Sequence, residues 1–282
     1  MAKEVAFGTR KPHKSAKFVL KIYPLIHEFY LQLIKFVNLW LNYIVMIEKI
    51  NLNNILFLDI ETVPEVADFN ELDSEMKDLW EHKTQYQRKD EFTPEDFYDR
   101  AGIWAEFGKI VCISVGYFTI KGDIRNFRVT SFFGEEKKIL HDFINLLNNH
   151  FNQPQHVLCG HNAKEFDIPF IARRMIINDI AIPNKLNLFG KKPWEIPHLD
   201  TLELWKFGDY KHYTSLKLLT KILGIESPKG DIDGSQVGHV FYVEKDIDRI
   251  VTYCEKDTIA VAQIFLRLRR EELLIDEEII HV

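Results

Sequence analysis

The chain has few cysteines, and none at the spacing of a metal site. The three are Cys112, Cys159 and Cys254, two on predicted strands and one on the last predicted helix. We interpret them as reduced core residues of a cytoplasmic protein. Cys254 follows Tyr253 directly and points to a different helical face, so no catalytic role is expected for it.

An excess of positive charge is also absent. The 282 residues carry 36 lysines and arginines against 42 aspartates and glutamates, a formal net charge of −6. A protein that coats nucleic acid along its length is basic, so the charge argues against that class. With 46% apolar residues and neither repeats nor low-complexity tracts, the chain can bury one core of α/β size plus an appendage.

A membrane span and a secretory signal are missing as well. Residues 18–47 are strongly apolar, but they are interrupted by Lys21, Pro24, Glu28 and Lys35. The longest uncharged part, 36–47, is too short to cross a bilayer, and a small-residue cleavage site is absent. We therefore expect a cytoplasmic protein without a membrane span.

The start of the chain is predicted to be separate from the rest. We divide the sequence into an N-terminal extension, residues 1–48, and one domain, residues 49–282. Polar residues recur every seven positions in the extension, which predicts an apolar helix with a narrow polar stripe. This helix could lie at an interface or bind a partner, or it could pack on the domain. The third interpretation, an upstream reading-frame extension with Met46 as the true start, is the one we favour.

Two carboxylates follow the first predicted strand. The apolar run 55–58 indicates a buried strand, and Asp59 and Glu61, two positions apart, project from the same face. They lie where a central strand of an open α/β sheet ends at a crevice. Paired carboxylates repel each other unless one takes a proton or a cation intervenes, and Mg²⁺ prefers such oxygen ligands. Alone, the motif fits two solvated acids equally well.

A tyrosine and an aspartate share one face of the last predicted helix. Apolar residues recur with a period of about 3.6 from about residue 246 to 272, which predicts this helix. The spacing of four places Tyr253 above Asp257, so the phenol can orient a water while the carboxylate binds a metal. Alone, this motif is better explained as an ordinary surface pair.

Asp167 opens another predicted helix. A short strand at 157–159 ends in Gly160, Asn162 occupies a loop, and Pro169 suits the first turn of the helix. Asp167 can cap this helix, bind a metal, or do both.

In this order the three motifs resemble those of a known enzyme family. Asp-x-Glu on a strand, Asn-x-x-x-Phe-Asp, and Tyr-x-x-x-Asp on the last helix resemble the DEDD 3′–5′ exonucleases of the DEDDy subclass. Three stretches look most like the proofreading exonuclease domain of family B DNA polymerases, in a stand-alone bacterial form: FLDIET at 57–62, EFGKIVCISVGYF at 106–118 and LDTLELW at 199–205. The resemblance covers about residues 50–275.

The resemblance implies a mechanism and a set of site residues. Asp59, Glu61, Asp167 and Asp257 would bind two Mg²⁺ or Mn²⁺ ions, which activate water and stabilise the attacking and leaving oxygens of an in-line displacement. Tyr253 would orient the water, and no serine or cysteine nucleophile is expected. The expected substrate contacts are Thr62, Asn162, Phe166 and Lys217.

The resemblance also implies an α/β, RNase H-like fold with a mixed five-stranded sheet flanked by helices. The residue patterns agree, since they predict strands at 55–60, 109–118, 125–133, 157–159 and 198–200. Predicted helices at 135–150, 215–223 and 246–272 join the one that Asp167 opens. Asp200 either supports the metal site or caps the helix after it.

Two insertions are candidates for holding substrate. Residues 63–108 are rich in aromatic rings, which can stack on bases, and residues 206–243 carry several lysines. For most of the rings, packing within a small helical subdomain is the stronger interpretation.

We therefore expect a metal-dependent 3′–5′ exonuclease that acts on nucleic acid 3′ ends, with single-stranded DNA as the predicted substrate. The alternatives are a ribonuclease that trims RNA 3′ ends and a catalytically silent nucleic-acid-binding module on the same fold. The negative charge does not exclude an enzyme that grips a strand end, because bound metals add positive charge. Proofreading would need a polymerase partner in trans, and repair or nucleotide recycling is equally open.

Overall fold

The computed structural model describes residues 47–89, 91–209, 211–226 and 232–282. The chain divides after Ile50, and Asn51–Val282 form one compact unit. The predictions for residues 1–46, an apolar helix and a start at Met46, lie outside the described residues.

Within the described part of this unit, a mixed sheet of six strands forms the centre. The strands are β1 (Ile55–Pro64), β2 (Gly108–Lys121), β3 (Ile124–Phe133), β4 (Val157–Gly160), β5 (Leu199–Asp200) and β6 (Ile279–His281). They lie side by side in the order β5-β4-β1-β2-β3-β6. β2 is antiparallel to both of its neighbours, whereas the other pairs are parallel. This topology is that of an RNase H-like α/β fold, as predicted.

The predicted number of five strands is wrong, because β6 adds a sixth at the edge. β6 has three residues and pairs in parallel with β3 from Phe127 to Val129. Arg125 fixes the segment just before β6 by donating two hydrogen bonds of 2.8 Å to the carboxylate of Glu278. A strand this short carries too little alternation of apolar and polar residues to be recognised in a sequence.

The helices of the described residues are α1 (Ser74–Arg88), α2 (Glu136–His150), α3 (Asp167–Ile177), α4 (Thr201–Lys206), α5 (Leu216–Ile222), α6 (Val237–His239) and α7 (Ile247–Leu268). α2 and α3 pack on one face of the sheet and α7 on the other. The four predicted helices correspond to α2, α3, α5 and α7. In the described ranges, no helix has the length and apolarity that a bilayer span requires.

The side chains of β1 alternate between two halves of the core. Leu56, Leu58 and Ile60 pack with residues of α2 and α3. On the opposite face, Phe57 meets Phe265 of α7 with 5.8 Å between the ring centroids. The face that packs on α7 is therefore the face on which the next odd-numbered residues of β1 project.

Most aromatic rings of the first insertion pack together, as predicted. Trp80 of α1 is fully buried, and its ring centroid lies 5.5 Å from that of Tyr98, 5.4 Å from Trp104 and 5.2 Å from Phe107. Tyr86, in contrast, is 82% exposed. These buried rings stabilise the insertion and are not available to stack on bases.

Candidate active site

Asp59 and Glu61 project from β1 just beyond the part of the strand that pairs with β4. β1 continues to Pro64, so the predicted position of the two acids at the end of the strand is wrong. Glu61 is 7% exposed, and its carboxylate forms no hydrogen bond or ion pair with the described part of the chain. The ligand atoms of Asp59, Glu61 and Cys254 all lie within 4.8 Å of one another. A buried carboxylate without a partner is costly, so this corner of the fold is suited to a cation.

α7 contributes a second pair of predicted residues. Tyr253 and Asp257 lie one turn apart on α7. Burial raises the pKa of Asp257, and the nearby Tyr253 hydroxyl partly offsets this rise. Burial and the charges of Asp257, Glu61 and Asp59 raise the pKa of the phenol, so Tyr253 lies close to the acids of β1. The last helix and the first strand thus meet as the sequence predicted.

Asp167 reaches the same part of β1 from α3. β4 pairs with β1 only from Ile55 to Phe57, so in the described residues the next part of that edge has no strand beside it. The charge of Asp167 contributes to the raised pKa of Asp59, behind burial, so its carboxylate lies close to that residue. Asp167 is the first residue of α3, and Phe166 occupies the N-cap position without a side-chain cap. The predicted N-cap role for Asp167 is therefore wrong.

Asp200 holds the loop that leads to Asp167. Its carboxylate accepts hydrogen bonds from the backbone N–H of Asn162 at 2.9 Å and of Lys164 at 3.0 Å. It also caps α4, since it accepts from the N–H groups of Leu202 at 2.9 Å and Glu203 at 3.4 Å. Asp200 thus caps the helix after it, one of the two roles that the sequence left open, and it also fixes the loop before Asp167; its support of a metal site stays a prediction.

A glycine permits the turn from β4 into this loop. A Cβ atom on Gly160 would lie 2.4 Å from the Cβ of Ala163, which is closer than real side chains approach. Two residues later, Asn162 adopts the left-handed conformation with φ of 65°. The loop can therefore fold back over the end of β1 and bring Asp167 to it.

Burial and crowding raise the pKa of every acid in the group. Burial raises the pKa of Asp59 well above its ordinary value, and the charges of Asp167, Glu61 and Asp257 add to the effect. Burial likewise raises the pKa of Glu61, with a further contribution from Asp257. Burial raises the pKa of Asp167 to about 7 and that of Asp257 to about 6. Because several negative carboxylates are costly to bury together, this cluster of oxygen donors is suited to bind divalent cations.

The predicted substrate contacts have different surroundings. The Thr62 hydroxyl already donates to the carbonyl of Gly102 at 2.7 Å. The Asn162 side-chain amide makes no hydrogen bond within the described ranges, which leaves it free for a ligand. The Phe166 ring packs on Phe170 with 5.5 Å between centroids. Lys217 is exposed on α5 and lies near Asp233, where it is a minor cause of that residue's lowered pKa, behind hydrogen bonds from Ser235.

Two residues near the acids were not predicted. The Cys254 sulfur lies 3.4 Å from the carbonyl oxygen of Asp59 and 3.5 Å from its Oδ2. Tyr213 is 65% exposed, and its pKa is raised by partial burial and by the charges of Asp167, Asp200 and Asp59. No local pattern in the sequence marks either residue, because both reach the acids through tertiary packing.

The segment around Tyr213 is fixed to the loop at Asn162 by one histidine. His161 makes hydrogen bonds through Nε2 to the carbonyl oxygen of Thr214 at 2.8 Å and through Nδ1 to the hydroxyl of Thr201 at 2.9 Å. The exposed ring of Tyr213 therefore lies beside the loop that contains Asn162 and close to the acid cluster.

Together, the fold and the cluster define an RNase H-like domain in which acids from α3 and α7 meet two acids of its first strand. Residues 103–280 match the sequence model of a family described as predicted 3′–5′ exonucleases related to the exonuclease domain of PolB. The match covers more than half of the chain, and the chain belongs to this family of hydrolases that act on nucleic acid. The matched part includes Asp167, Tyr253 and Asp257.

One similar solved structure is that of the family B DNA polymerase from the hyperthermophilic archaeon Pyrobaculum calidifontis. It is 14% identical over 75% of this chain and 24% of the polymerase chain, with a TM-score of 0.45. The chain thus spans about a quarter of that polymerase's length. No curated protein sequence matches the chain.

Proposed function

We propose that this protein is a metal-dependent 3′–5′ exonuclease that releases 5′-mononucleotides from single-stranded DNA. One observation carries the proposal, the convergence of buried and half-buried acids from β1, α3 and α7, with Glu61 lacking any partner in the described ranges. Such a cluster opposes folding unless cations balance it, so its presence argues for a functional site.

Asp59, Glu61, Asp167 and Asp257 would hold two divalent ions, Mg²⁺ or Mn²⁺. Carboxylate oxygens are the protein ligands that these ions prefer. When bound, such a pair of ions activates water and stabilises the charges that develop on the attacking and leaving oxygens. We propose both the identity of these metals and their number.

Tyr253 would position the attacking water without taking its proton. Burial and the charges of Asp257, Glu61 and Asp59 raise the pKa of the phenol above its ordinary value. The hydroxyl therefore stays protonated near neutral pH and would donate to Asp257, while its oxygen can still accept a hydrogen bond from water. Tyr253 is thus an orienting residue rather than a general base.

The 3′ end would be held by groups around the loop at Asn162. The Asn162 amide has no hydrogen bond within the described ranges, and Asp200 fixes its backbone. The exposed ring of Tyr213 can stack on a terminal base. Phe166, Thr62 and Lys217 stay candidates, with Lys217 suited to a phosphate farther along the strand.

We also propose the domain boundaries, the cellular location and the partners of the protein. The exonuclease domain would be residues 49–282, acting in the cytoplasm, with residues 1–48 as a separate extension. A polymerase or a repair protein would serve as a partner in trans. N-terminal sequencing of the native protein would test the start at Met46, and a first residue of Met1 or Ala2 would exclude it.

The test is digestion of 5′-labelled single-stranded DNA and RNA of the same sequence with Mg²⁺ or Mn²⁺. The proposal expects DNA fragments that shorten from the 3′ end, and none in EDTA or with Asp257→Asn. Asp248→Asn is the matched control, because Asp248 is an exposed aspartate in the first turn of the same helix.

The other outcomes would change the proposal in different ways. Faster digestion of RNA would replace the proposed substrate with RNA. No shortening of either strand by folded protein with either metal would favour the silent binding module.

A further inference from the structure

We infer that Cys254 gives the acid cluster a second binding mode. In this mode Asp59, Glu61 and the Cys254 thiolate bind a soft divalent ion, Zn²⁺ or Cd²⁺. This ion would exclude Mg²⁺ or Mn²⁺ from the two carboxylates and so inhibit the enzyme. The inhibitory consequence rests on the proposed function, whereas the binding itself does not.

The spacing of the donor atoms fits such an ion. The Cys254 sulfur lies 3.5 Å from Oδ2 of Asp59. A carboxylate oxygen of Glu61 lies within 4.8 Å of the ligand atoms of both residues. Tetrahedral zinc has bonds of about 2.3 Å to sulfur and about 2.0 Å to oxygen, which puts the two donors about 3.5 Å apart. The sulfur and the Asp59 oxygen can therefore share one ion without a change in the backbone.

Glu61 provides an independent sign of a ligand. It is 7% exposed, its carboxylate lies within the same group of donors, and it has no hydrogen bond or ion pair within the described ranges. Buried carboxylates are normally paired or bound to metal. An acid that lies within the group and has no partner in the described ranges is therefore suited to be a cation ligand.

The sulfur determines which cations bind in this mode. Thiolates favour Zn²⁺ and similar soft ions, whereas Mg²⁺ and Mn²⁺ favour oxygen donors and water. Cys254 is fully buried on α7 beside the Asp59 carboxylate, so a hard ion gains nothing from it. On coordination the thiol proton passes to solvent, and the thiolate becomes the third ligand.

The position of Cys254 also explains why no sequence pattern marks it as a ligand. Metal sites made of cysteine usually show two ligands a few residues apart. Here the three donors come from positions 59, 61 and 254, and they meet only because α7 packs on the face of β1 that carries the acids.

The test is titration of the metal-free, full-length protein with Cd²⁺, without nucleic acid, followed by the ultraviolet charge-transfer band of a cadmium thiolate. Wild-type protein is expected to show the band and to saturate at one ion per chain. Cys254→Ser is expected to lose it, and Cys159→Ser, which alters a buried thiol of β4, is expected to keep it.

Glu61→Gln separates a three-ligand site from simple binding to a thiol. It keeps every cysteine, and it should weaken Cd²⁺ binding by at least about tenfold, the loss typical of even a supporting residue of a metal site. This variant also keeps the inference testable if Cys254→Ser fails to fold.

Three results would overturn the inference: no band in folded wild-type protein, a band that survives in Cys254→Ser, or Cd²⁺ affinity unchanged in Glu61→Gln. Loss of the band in Cys112→Ser with retention in Cys254→Ser would assign the thiolate to the neighbouring cysteine instead. Absence of Cd²⁺ binding alongside normal DNA digestion would leave the proposed exonuclease intact.

Discussion

At the scale of single residues, the acid cluster sets the protonation of its neighbours. Burial raises the pKa of Asp257, and the nearby Tyr253 hydroxyl partly offsets this rise. The tyrosine therefore has two effects in the proposed reaction, on the position of water and on the charge of a metal ligand.

Replacing Tyr253 with phenylalanine separates these effects. We expect kcat to fall on the order of 10²-fold, the loss typical when a reacting group is no longer held in position. Without the hydroxyl the pKa of Asp257 rises from about 6, so the acid limb of the pH–activity profile should move to higher pH. Rates measured from pH 5 to 9 would test both effects. An unchanged profile with a normal rate would exclude the role.

Replacing Tyr213 with alanine tests the surface near the mouth of the pocket. We expect KM for single-stranded DNA to rise while kcat changes little, because stacking of one base on an aromatic ring contributes about 1–3 kcal/mol. Tyr86→Ala is the control, since this ring is 82% exposed on the aromatic insertion. Equal effects of the two substitutions would argue against a specific contact.

Local rules predicted some of these residues and not others. Asp59 and Glu61 were expected on one face of a strand, and Tyr253 and Asp257 on one face of a helix, because strand and helix periods are short-range. The structure has both pairs in these positions. Cys254 and Tyr213 depend on how α7 and the segment before α5 pack against the rest, which no spacing along the chain encodes.

At the scale of elements, the loop between β4 and α3 depends on one carboxylate. Asp200 accepts four backbone hydrogen bonds, two from this loop and two from the first turn of α4. The predicted strands and helices around it were correct because their apolar patterns are long. β6 was not predicted, since its three residues are stabilised by pairing with β3 rather than by their own pattern.

Replacing Asp200 with alanine leaves four N–H groups without their acceptor. We expect the free energy of unfolding to fall by about 2–4 kcal/mol, more than the loss of a simple helix cap, and binding of the 3′ end to weaken. Asp73→Ala is the matched control, because Asp73 caps α1 through one hydrogen bond to the N–H of Met76. Chemical denaturation would measure both variants, and equal losses would contradict the bridging role.

At the scale of the whole molecule, the buried acids oppose folding when no metal is bound. Folded-state pKa values of about 7 for Asp167 and about 6 for Asp257 exceed the value of about 3.9 for an unfolded aspartate. Between these limits the folded protein binds more protons than the unfolded chain. The contribution of these groups to stability is therefore present at low pH and is lost as the pH rises through the folded-state values.

The melting temperature in EDTA is accordingly expected to drop by a few degrees more between pH 5 and pH 8 for wild-type protein than for Asp167→Asn. At pH 8, Mn²⁺ should raise the melting temperature of wild-type protein, because it binds only the folded state, and should have a smaller effect on the variant. Thermal scans with both proteins would measure this. Parallel pH dependences would show that Asp167 does not carry the effect.

The acid cluster is formed in part by β1, the first strand of the domain, and by α7, near the end of the described residues. This has a consequence for the chain while it is being synthesised. β1 ends at Pro64, whereas Tyr253 and Asp257 lie on α7, which ends at Leu268. Contacts between such distant segments form late in folding, because the intervening chain must be ordered first. A nascent or prematurely terminated chain that lacks α7 would contain the acids of β1 but no closed pocket. Strand-degrading chemistry would thus be confined to completed polypeptides, and released fragments would pose no threat to the cell's nucleic acids.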